Sequence, residues 1–231
     1  MPPRRRGVEI LDDPATDPEL RARSLHDVAR SNALFGGARA VLAELAVALR
    51  GRSGEVSLLD VGTGLGDIPA RARALAARRG VRLVTFGVDA VPCLAAASRD
   101  RGVIAAGGDA LALPFGDGSV DVVSCSQVLH HFTEDEGRRL VRELDRVARE
   151  RVIISDIRRT RLAAAGIWLA SFPLRFHPVS RHDGVVSVMR GFTTNELETL
   201  VRSAVGRRPA VVRRAGFRVT ASWRPTRNLT R

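Results

Sequence analysis

Leu58-Leu59-Asp60-Val61-Gly62-Thr63-Gly64-Leu65-Gly66-Asp67 is the stretch that decides the fold. A short apolar run, Val56 to Asp60, ends at three glycines, and a helical pattern opens directly after them. At a strand-to-helix junction, glycines let the backbone turn sharply and approach a ligand closely. The first amides of the following helix have no partner within that helix. This is the nucleotide-site geometry of a doubly wound sheet. A dinucleotide fingerprint is spaced GxGxxG, its third glycine making room for a pyrophosphate. Here the spacing is GxGxG, and Asp67 follows. A carboxylate beside the loop suits a ligand with a cationic end better than one with two phosphates. A plain tight turn is the alternative reading of the same glycines.

Outward from the loop, strands and helices alternate. Ile68 to Arg79 reads as a helix, Val81 to Val88 as a strand, Pro92 to Arg99 as a helix and Val103 to Ala106 as a weak strand. Val120 to Cys125 is a strand, Glu134 to Ala148 a helix and Arg151 to Ser155 a strand. That alternation predicts an α/β fold with a parallel sheet and helices on both faces. The ending differs. A helix from Thr193 to Ala204, capped by Thr193 or Thr194, precedes two β-rich runs, Ala210 to Arg213 and Phe217 to Thr220. Their short connection at Ala215-Gly216 permits only antiparallel pairing. The expected architecture is Rossmann-like: a doubly wound, seven-stranded, mostly parallel sheet with one antiparallel strand, plus N-terminal helices. One of these helices runs from Pro18 to Ala33, with Asp17 as its cap and Leu20, Leu25 and Val28 on its apolar face. Gly36-Gly37 breaks the pattern, and a second helix then runs to about Leu49. The chain divides into an N-terminal helical cap (1–50), a ligand-binding core (51–159), a substrate-cap insertion (160–192) and a C-terminal helix with a hairpin (193–231).

Two further acids sit where such a fold binds its ligand. Asp89 ends the second strand, roughly 20 residues past the loop, where a ribose is held through its hydroxyls. A helix N-cap is the alternative. Asp109 follows the third strand, placed to accept a hydrogen bond from an adenine amine. Leu111, Leu113 and Phe115 either cover the ring or pack the core.

With these residues in order, the chain resembles the class I S-adenosylmethionine (SAM)-dependent methyltransferases, in the broad group of the ubiquinone and menaquinone biosynthesis methyltransferases. The matching stretches are LLDVGTGLGD, FGVDAV, GDALALPFGDGSVDVV, SQVLHHF and RELDRVARERVIISDIRR, together spanning Leu58 to Arg159. The resemblance implies SAM as cofactor. It implies that Asp60, Gly62, Thr63, Gly64 and Asp67 surround the methionine part. Asp89 and Ala90 would take the ribose, Asp109 and Ala110 the adenine, and Ser126 would close the site. The flanks choose the substrate in that family and carry no transferable motif.

Composition narrows the class. The 231 residues, 45% hydrophobic, suit one domain with a full core. All 37 basic residues are arginine, and the formal net charge is +12. A total replacement of lysine reads as coding bias, with the charge spread over a solvated surface. Cys93 and Cys125 lack CxxC spacing, so neither a zinc site nor a disulfide framework is expected, and reduced cytoplasmic thiols are the default. The basic start, Met1 to Arg6, leads into charged residues rather than an apolar run, so no signal peptide is read there. No His/Cys/Asp cluster has metal-ligand spacing, so no metal is expected.

Histidines are the candidates for a base. His130 and His131 follow the fourth strand, at the carboxyl edge of the sheet where ligands bind in this fold. His26 lies on the N-terminal helix, and His177 and His182 lie in the insertion. Arg181-His182-Asp183-Gly184 reads as a polar turn in which an acid biases an imidazole for base work. His182 is therefore placed first as catalytic residue, with His130 and His131 beside it. Leu162 to Ala170 is nearly all apolar. It reads as a cap over the pocket, or as a surface that docks on a membrane with Arg158, Arg159, Arg161 and Arg175 near lipid phosphates. The expected acceptor is a small, largely apolar molecule (a phenol, a quinol or an aromatic polyketide), methylated on oxygen or carbon. A nucleic-acid methyltransferase is the rival that the charge suggests. Against it, the fourth strand runs into Ser124-Cys125-Ser126-Gln127, not an Asn/Asp-Pro-Pro-aromatic motif, and aromatic residues are only 4% of the chain. A non-catalytic SAM-binding regulator would carry the same binding residues, and a homodimer is left open.

Overall fold

The computed structural model describes residues 4, 7, 9–12, 15–17, 19, 20, 23, 24, 27, 30, 31 and 35–225. Among them, seven strands form one sheet: β1 (Gly54–Val61), β2 (Val81–Asp89), β3 (Ile104–Gly107), β4 (Val120–Ser126), β5 (Ala148–Ile157), β6 (Ala210–Arg214) and β7 (Arg218–Trp223). Seven α-helices accompany them: α1 (Gly37–Ala48), α2 (Asp67–Ala77), α3 (Pro92–Arg99), α4 (Glu134–Val147), α5 (Arg161–Ala170), α6 (Pro178–Arg190) and α7 (Thr194–Val205). The strand order is β3-β2-β1-β4-β5-β7-β6. All pairs among β1 to β5 are parallel, and β7 runs antiparallel to both β5 and β6. The expected Rossmann-like sheet with its single antiparallel strand is the observed one.

Local chemistry explains the boundaries. Every residue of β4 is buried, as a strand covered by helices on both faces requires. Its one acid, Asp121, is satisfied by the Ser57 amide and hydroxyl and by Arg149 Nη1. α4 and α7 both start with a reciprocal capping box, Thr133 with Glu136 and Thr193 with Glu196. Pro92 and Pro178 each open a helix at a position where the missing N–H costs nothing. Asp17 Oδ2 accepts from the Leu20 amide at 3.0 Å, as a cap does. Pro18, Leu25, His26, Val28 and Ala33, on which the rest of that helix reading depends, lie outside the described residues.

Two apolar layers sandwich the sheet. On one face Leu140, Leu144, Leu197 and Val201 pack against Leu59, Val123 and Ile154. On the other, Val41, Leu45 and Leu49 join Ala72, Ala76, Leu58 and Ile153. α1 is thus part of the sheet sandwich. Residues 160–192 form a helix pair, α5 and α6, beside the carboxyl edge of the sheet. The polar turn expected at Arg181 to Gly184 is instead the middle of α6. Pro178 starts that helix and nothing breaks it before Gly191, so a glycine inside it is tolerated.

Candidate active site

The carboxyl ends of β1, β2 and β4 meet where the strand order reverses direction, the position at which open α/β sheets bind ligands. The glycine loop crosses this edge. Gly62 has φ 73°, and a methyl group there would collide with Val128, so only glycine fits. Gly64, at φ 52°, faces open space on the side where a Cβ would stand. Gly66 is the N-cap of α2 and leads into Asp67. Asp89 Oδ2 accepts the Gly64 amide at 2.8 Å and Oδ1 accepts the Val91 amide at 2.9 Å. Asp89 therefore fastens the loop to the end of β2. It is not the cap of α3, whose N-cap is Val91 without a side-chain bond.

The electrostatics of this edge ask for a cation. Asp60 is fully buried, and burial pushes its carboxyl up to about 7, against the bond it accepts from Ser124 Oγ at 2.6 Å. The carboxylates of Asp67 and Asp89 raise it further. Ser126 Oγ is buried with no partner, and Asp109 folds into a local turn through the Leu111 amide at 2.8 Å. Leu113 packs in the core, while Phe86 and Phe115 meet edge to face at 5.9 Å. Three acids, an unanswered hydroxyl and an open glycine face fit a ligand with an ammonium, a sulfonium and ribose hydroxyls. Asp60, Gly62, Thr63, Gly64, Asp67, Asp89, Ala90, Asp109, Ala110 and Ser126 all lie on or directly after the carboxyl ends of β1 to β4.

A second cavity opens beside this edge. It holds about 830 Å³ of space counted out to its mouth, and its wall is mostly apolar: Phe35, Ile157, Ala163, Ile167, Phe176, Val188 and Phe217. Its polar members include the acids Glu9, Asp27 and Asp183, with Gln127 and Arg218. Arg218 is buried and its guanidinium is pushed down to about 10 by desolvation. It donates to Gln127 Oε1 at 2.8 Å. Gln127 has φ 58°, a left-handed conformation that costs a non-glycine residue roughly 1–3 kcal/mol and marks a functional turn. From the N-terminal segment, Glu9 and Leu11 reach the wall. Asp183 of α6 holds that segment by accepting the Ile10 and Leu11 amides, each at 3.0 Å.

Among the described histidines, His130 is the one buried together with its acidic partner. It is buried, and its Nδ1 lies 2.7 Å from Asp156 Oδ1, while its amide donates to Asp156 Oδ2 at 3.1 Å. Burial alone would push Asp156 up, but the neighbouring His130 and the Ile157 amide outweigh it and hold the carboxyl low. His131 is exposed, 3.4 Å from Arg190 Nη1. His182, placed first by its neighbours in sequence, stands on an exposed part of α6. Its side chain is 53% exposed, it bonds Asp183 at 2.8 Å, and it is not part of the cavity wall. His177 caps α6 through Nδ1, and His26 lies outside the described residues. Asp156, Gln127, Arg218 and Glu9 were not singled out from sequence. Asp156 carried a readable signal, an acid at a strand end like Asp89; the turn at Gln127 carried none.

Glu9, His130 and His131 bring ligand-type atoms within 4.8 Å of one another, a grouping that sequence spacing did not reveal. Arg190 Nη1, 3.1 Å from Glu9, already supplies positive charge there.

Comparison with known proteins agrees with this geometry. A family described as "Methyltransferase domain" matches residues 59–155. No curated protein matches the chain. Among solved structures, a SAM-dependent methyltransferase from Aquifex aeolicus is similar at 17% identity, with 82% of this chain and 89% of that one covered and a TM-score of 0.57. Magnesium protoporphyrin IX methyltransferase from Synechocystis, solved with SAM, is similar at 14% identity, covering 94% and 89%, with a TM-score of 0.52. The mitomycin 7-O-methyltransferase is similar at 18% identity, covering 91% and 69%, with a TM-score of 0.55. These likenesses carry the fold. The family match lies over β1 to β5, the part of the chain that carries the glycine loop and its acids.

Proposed function

We propose that the enzyme methylates a small, largely apolar acceptor, a phenol, a quinol or an aromatic polyketide, on oxygen or carbon. The observation that carries this reading is the apolar cavity beside the glycine-loop edge. Behind its wall residue Glu9 lies the buried His130, paired with Asp156. When bound, SAM supplies an electrophilic methyl on a sulfonium. The chain's own part is position and proton management. Gln127, turned by its left-handed backbone and braced by Arg218, stands at the junction between the cofactor edge and the cavity. Asp156 fixes the His130 ring with its proton on Nδ1, which leaves Nε2 as the basic nitrogen. His130 borders the cavity through Glu9, a wall residue within 4.8 Å of it. In this reading His130 takes the acceptor's proton as the new bond to carbon forms, and Asp156 stabilises the imidazolium. Residues 160–192 act as the substrate cap over the core of 51–159.

The test is turnover of a phenol and quinol panel with labelled SAM, using His130→Ala, Asp156→Asn, His131→Ala and His182→Ala. A general base contributes about 10²–10⁴-fold in rate. Loss in that range is expected for His130→Ala, a smaller loss for Asp156→Asn, and values within a few-fold of the parent for the other two. If His130→Ala also stays within a few-fold, the enzyme works by placement alone. If no panel member is methylated, the acceptor class is wrong.

A further inference from the structure

The two sides of α5 differ in a way that the acceptor cavity does not explain. Ala163, Gly166 and Ile167 face the cavity. The opposite side carries Leu162, 74% exposed, Leu169, 60%, Trp168, 47%, and just beyond the helix Phe172, 46%. At helical spacing these form one continuous apolar stripe. Trp168 and Phe172 meet edge to face at 5.0 Å, so the stripe is ordered without a partner. A stripe of this kind marks an interaction surface, whereas single exposed apolar residues are ordinary.

Charge indicates the partner. Between Asp156 and Asp183 the sequence has no acidic residue, but it has Arg158, Arg159, Arg161, Arg175 and Arg181. Arg161 and Arg175 are exposed beside the stripe, and Arg181 stacks its guanidinium over Phe172 at 3.8 Å. Arg159 is buried and belongs to the interior. Among the described residues no helix is long and apolar enough to cross a membrane. A short helix with an aromatic and leucine face, flanked by arginines and free of acids, has the make-up of one that lies in the headgroup region.

We propose that α5 and the turn after it dock on an anionic phospholipid surface, with Leu162, Trp168, Leu169 and Phe172 entering the headgroup boundary and Arg161 and Arg175 meeting phosphates. The same helix then separates the lipid from the acceptor cavity by its own thickness. The proposal does not depend on the acceptor's identity. Trp168 is a ready probe, because the other tryptophan, Trp223, is buried in the core.

The experiment uses the full chain with vesicles of phosphatidylcholine alone or mixed with phosphatidylglycerol, reading flotation and tryptophan emission. Flotation and a blue shift with the anionic vesicles only, weakened by salt, are expected. Trp168→Phe should abolish the shift and keep flotation. The double variant Leu162→Asp with Leu169→Asp should lose binding about 10-fold or more while still binding SAM as the parent does. Arg161→Gln with Arg175→Gln should weaken binding several-fold. The proposal is overturned if no vesicle binds. It is equally overturned if the aspartate variant floats like the parent, since the attachment is then elsewhere on the basic surface. Conversion of a dimer to a monomer by that variant, without any vesicle binding, would assign the stripe to a second copy of the chain instead.

Discussion

At the scale of single residues, Asp89 combines two roles that its position in the sequence did not separate. It stands where a ribose-binding acid belongs, and it already accepts the amides of Gly64 and Val91. A hydrogen bond to a charged acceptor contributes roughly 1.5–3 kcal/mol, and an abandoned buried donor costs about 1–3 kcal/mol. Asp89→Ala is therefore expected to lower both the melting temperature of the ligand-free protein and the affinity for SAM. Asp89→Asn keeps an acceptor for one of the two amides, sets an NH2 against the other and loses the charge. It should melt between Asp89→Ala and the parent and bind SAM about 10-fold or more weakly by calorimetry. Equal SAM affinity in Asp89→Asn and the parent would reduce Asp89 to a fastener of the loop. The residues whose placement was legible from sequence were those fixed by position along a strand–loop–helix unit: Asp60, Gly62, Asp67, Asp89. His130 was legible as a candidate, but its pairing was not. Its partner Asp156 is 26 residues away, and only strand pairing brings the two together. His182 looked stronger because its acid was adjacent, yet that acid serves the Ile10 and Leu11 amides.

At the scale of elements, the N-terminal segment and α6 act as one wall. Asp183 accepts two backbone amides of the segment, and Glu9 accepts Ser187 Oγ at 2.8 Å. Replacing Asp183 by Ala leaves both amides without that acceptor, so the segment should loosen from the cavity while the glycine loop on the far side is untouched. The expected result is a raised KM for the acceptor with an unchanged Kd for SAM, and a melting temperature lower by several degrees. One kcal/mol corresponds to about 2–4 °C for a chain of this size. A SAM affinity that falls in parallel would mean that the segment supports the cofactor edge as well. The elements of the core were mostly readable, because strand and helix periods differ and because Pro92 and Thr193 mark helix starts. The reading failed at Arg181 to Gly184, where four polar or small residues look like a turn. Their helical state is imposed by packing α6 on α5 and on the N-terminal segment, which no local pattern announces.

At the scale of the whole molecule, buried carboxyls set opposite limits on stability as pH changes. Asp60 is raised from 3.8 to about 7, so between those values the folded protein holds a proton that the unfolded chain has released. That contribution is complete below the unfolded value and is lost as pH rises through about 7, with a slope of at most about 1.4 kcal/mol per pH unit. Glu44, Asp121, Glu143, Asp156 and Glu196 are all lowered. For Glu143 the leading cause is the bond from Arg146. For the other four, burial is the largest influence and acts against the shift, and hydrogen bonds and nearby cations overcome it. Their stabilisation is present above the unfolded carboxylate range and is lost as pH falls through their lowered values. The ligand-free protein should therefore be most stable at about pH 4–5, weaken as pH rises from there to about 7, and level off above it. A cationic ligand end held among Asp60, Asp67 and Asp89 would favour the ionised form of Asp60. Binding of SAM near pH 6 should then release a proton, and saturating SAM should flatten the decline between about pH 4 and 7. Denaturant unfolding across pH with and without SAM measures the first effect, and calorimetry in buffers of different ionisation enthalpy measures the second. Asp60→Asn removes the titrating group while keeping an acceptor for Ser124. It should remove both the neutral-side decline and the proton release. If the decline persists in that variant, its source lies in the arginine-rich surface and not in the acid beneath the glycine loop.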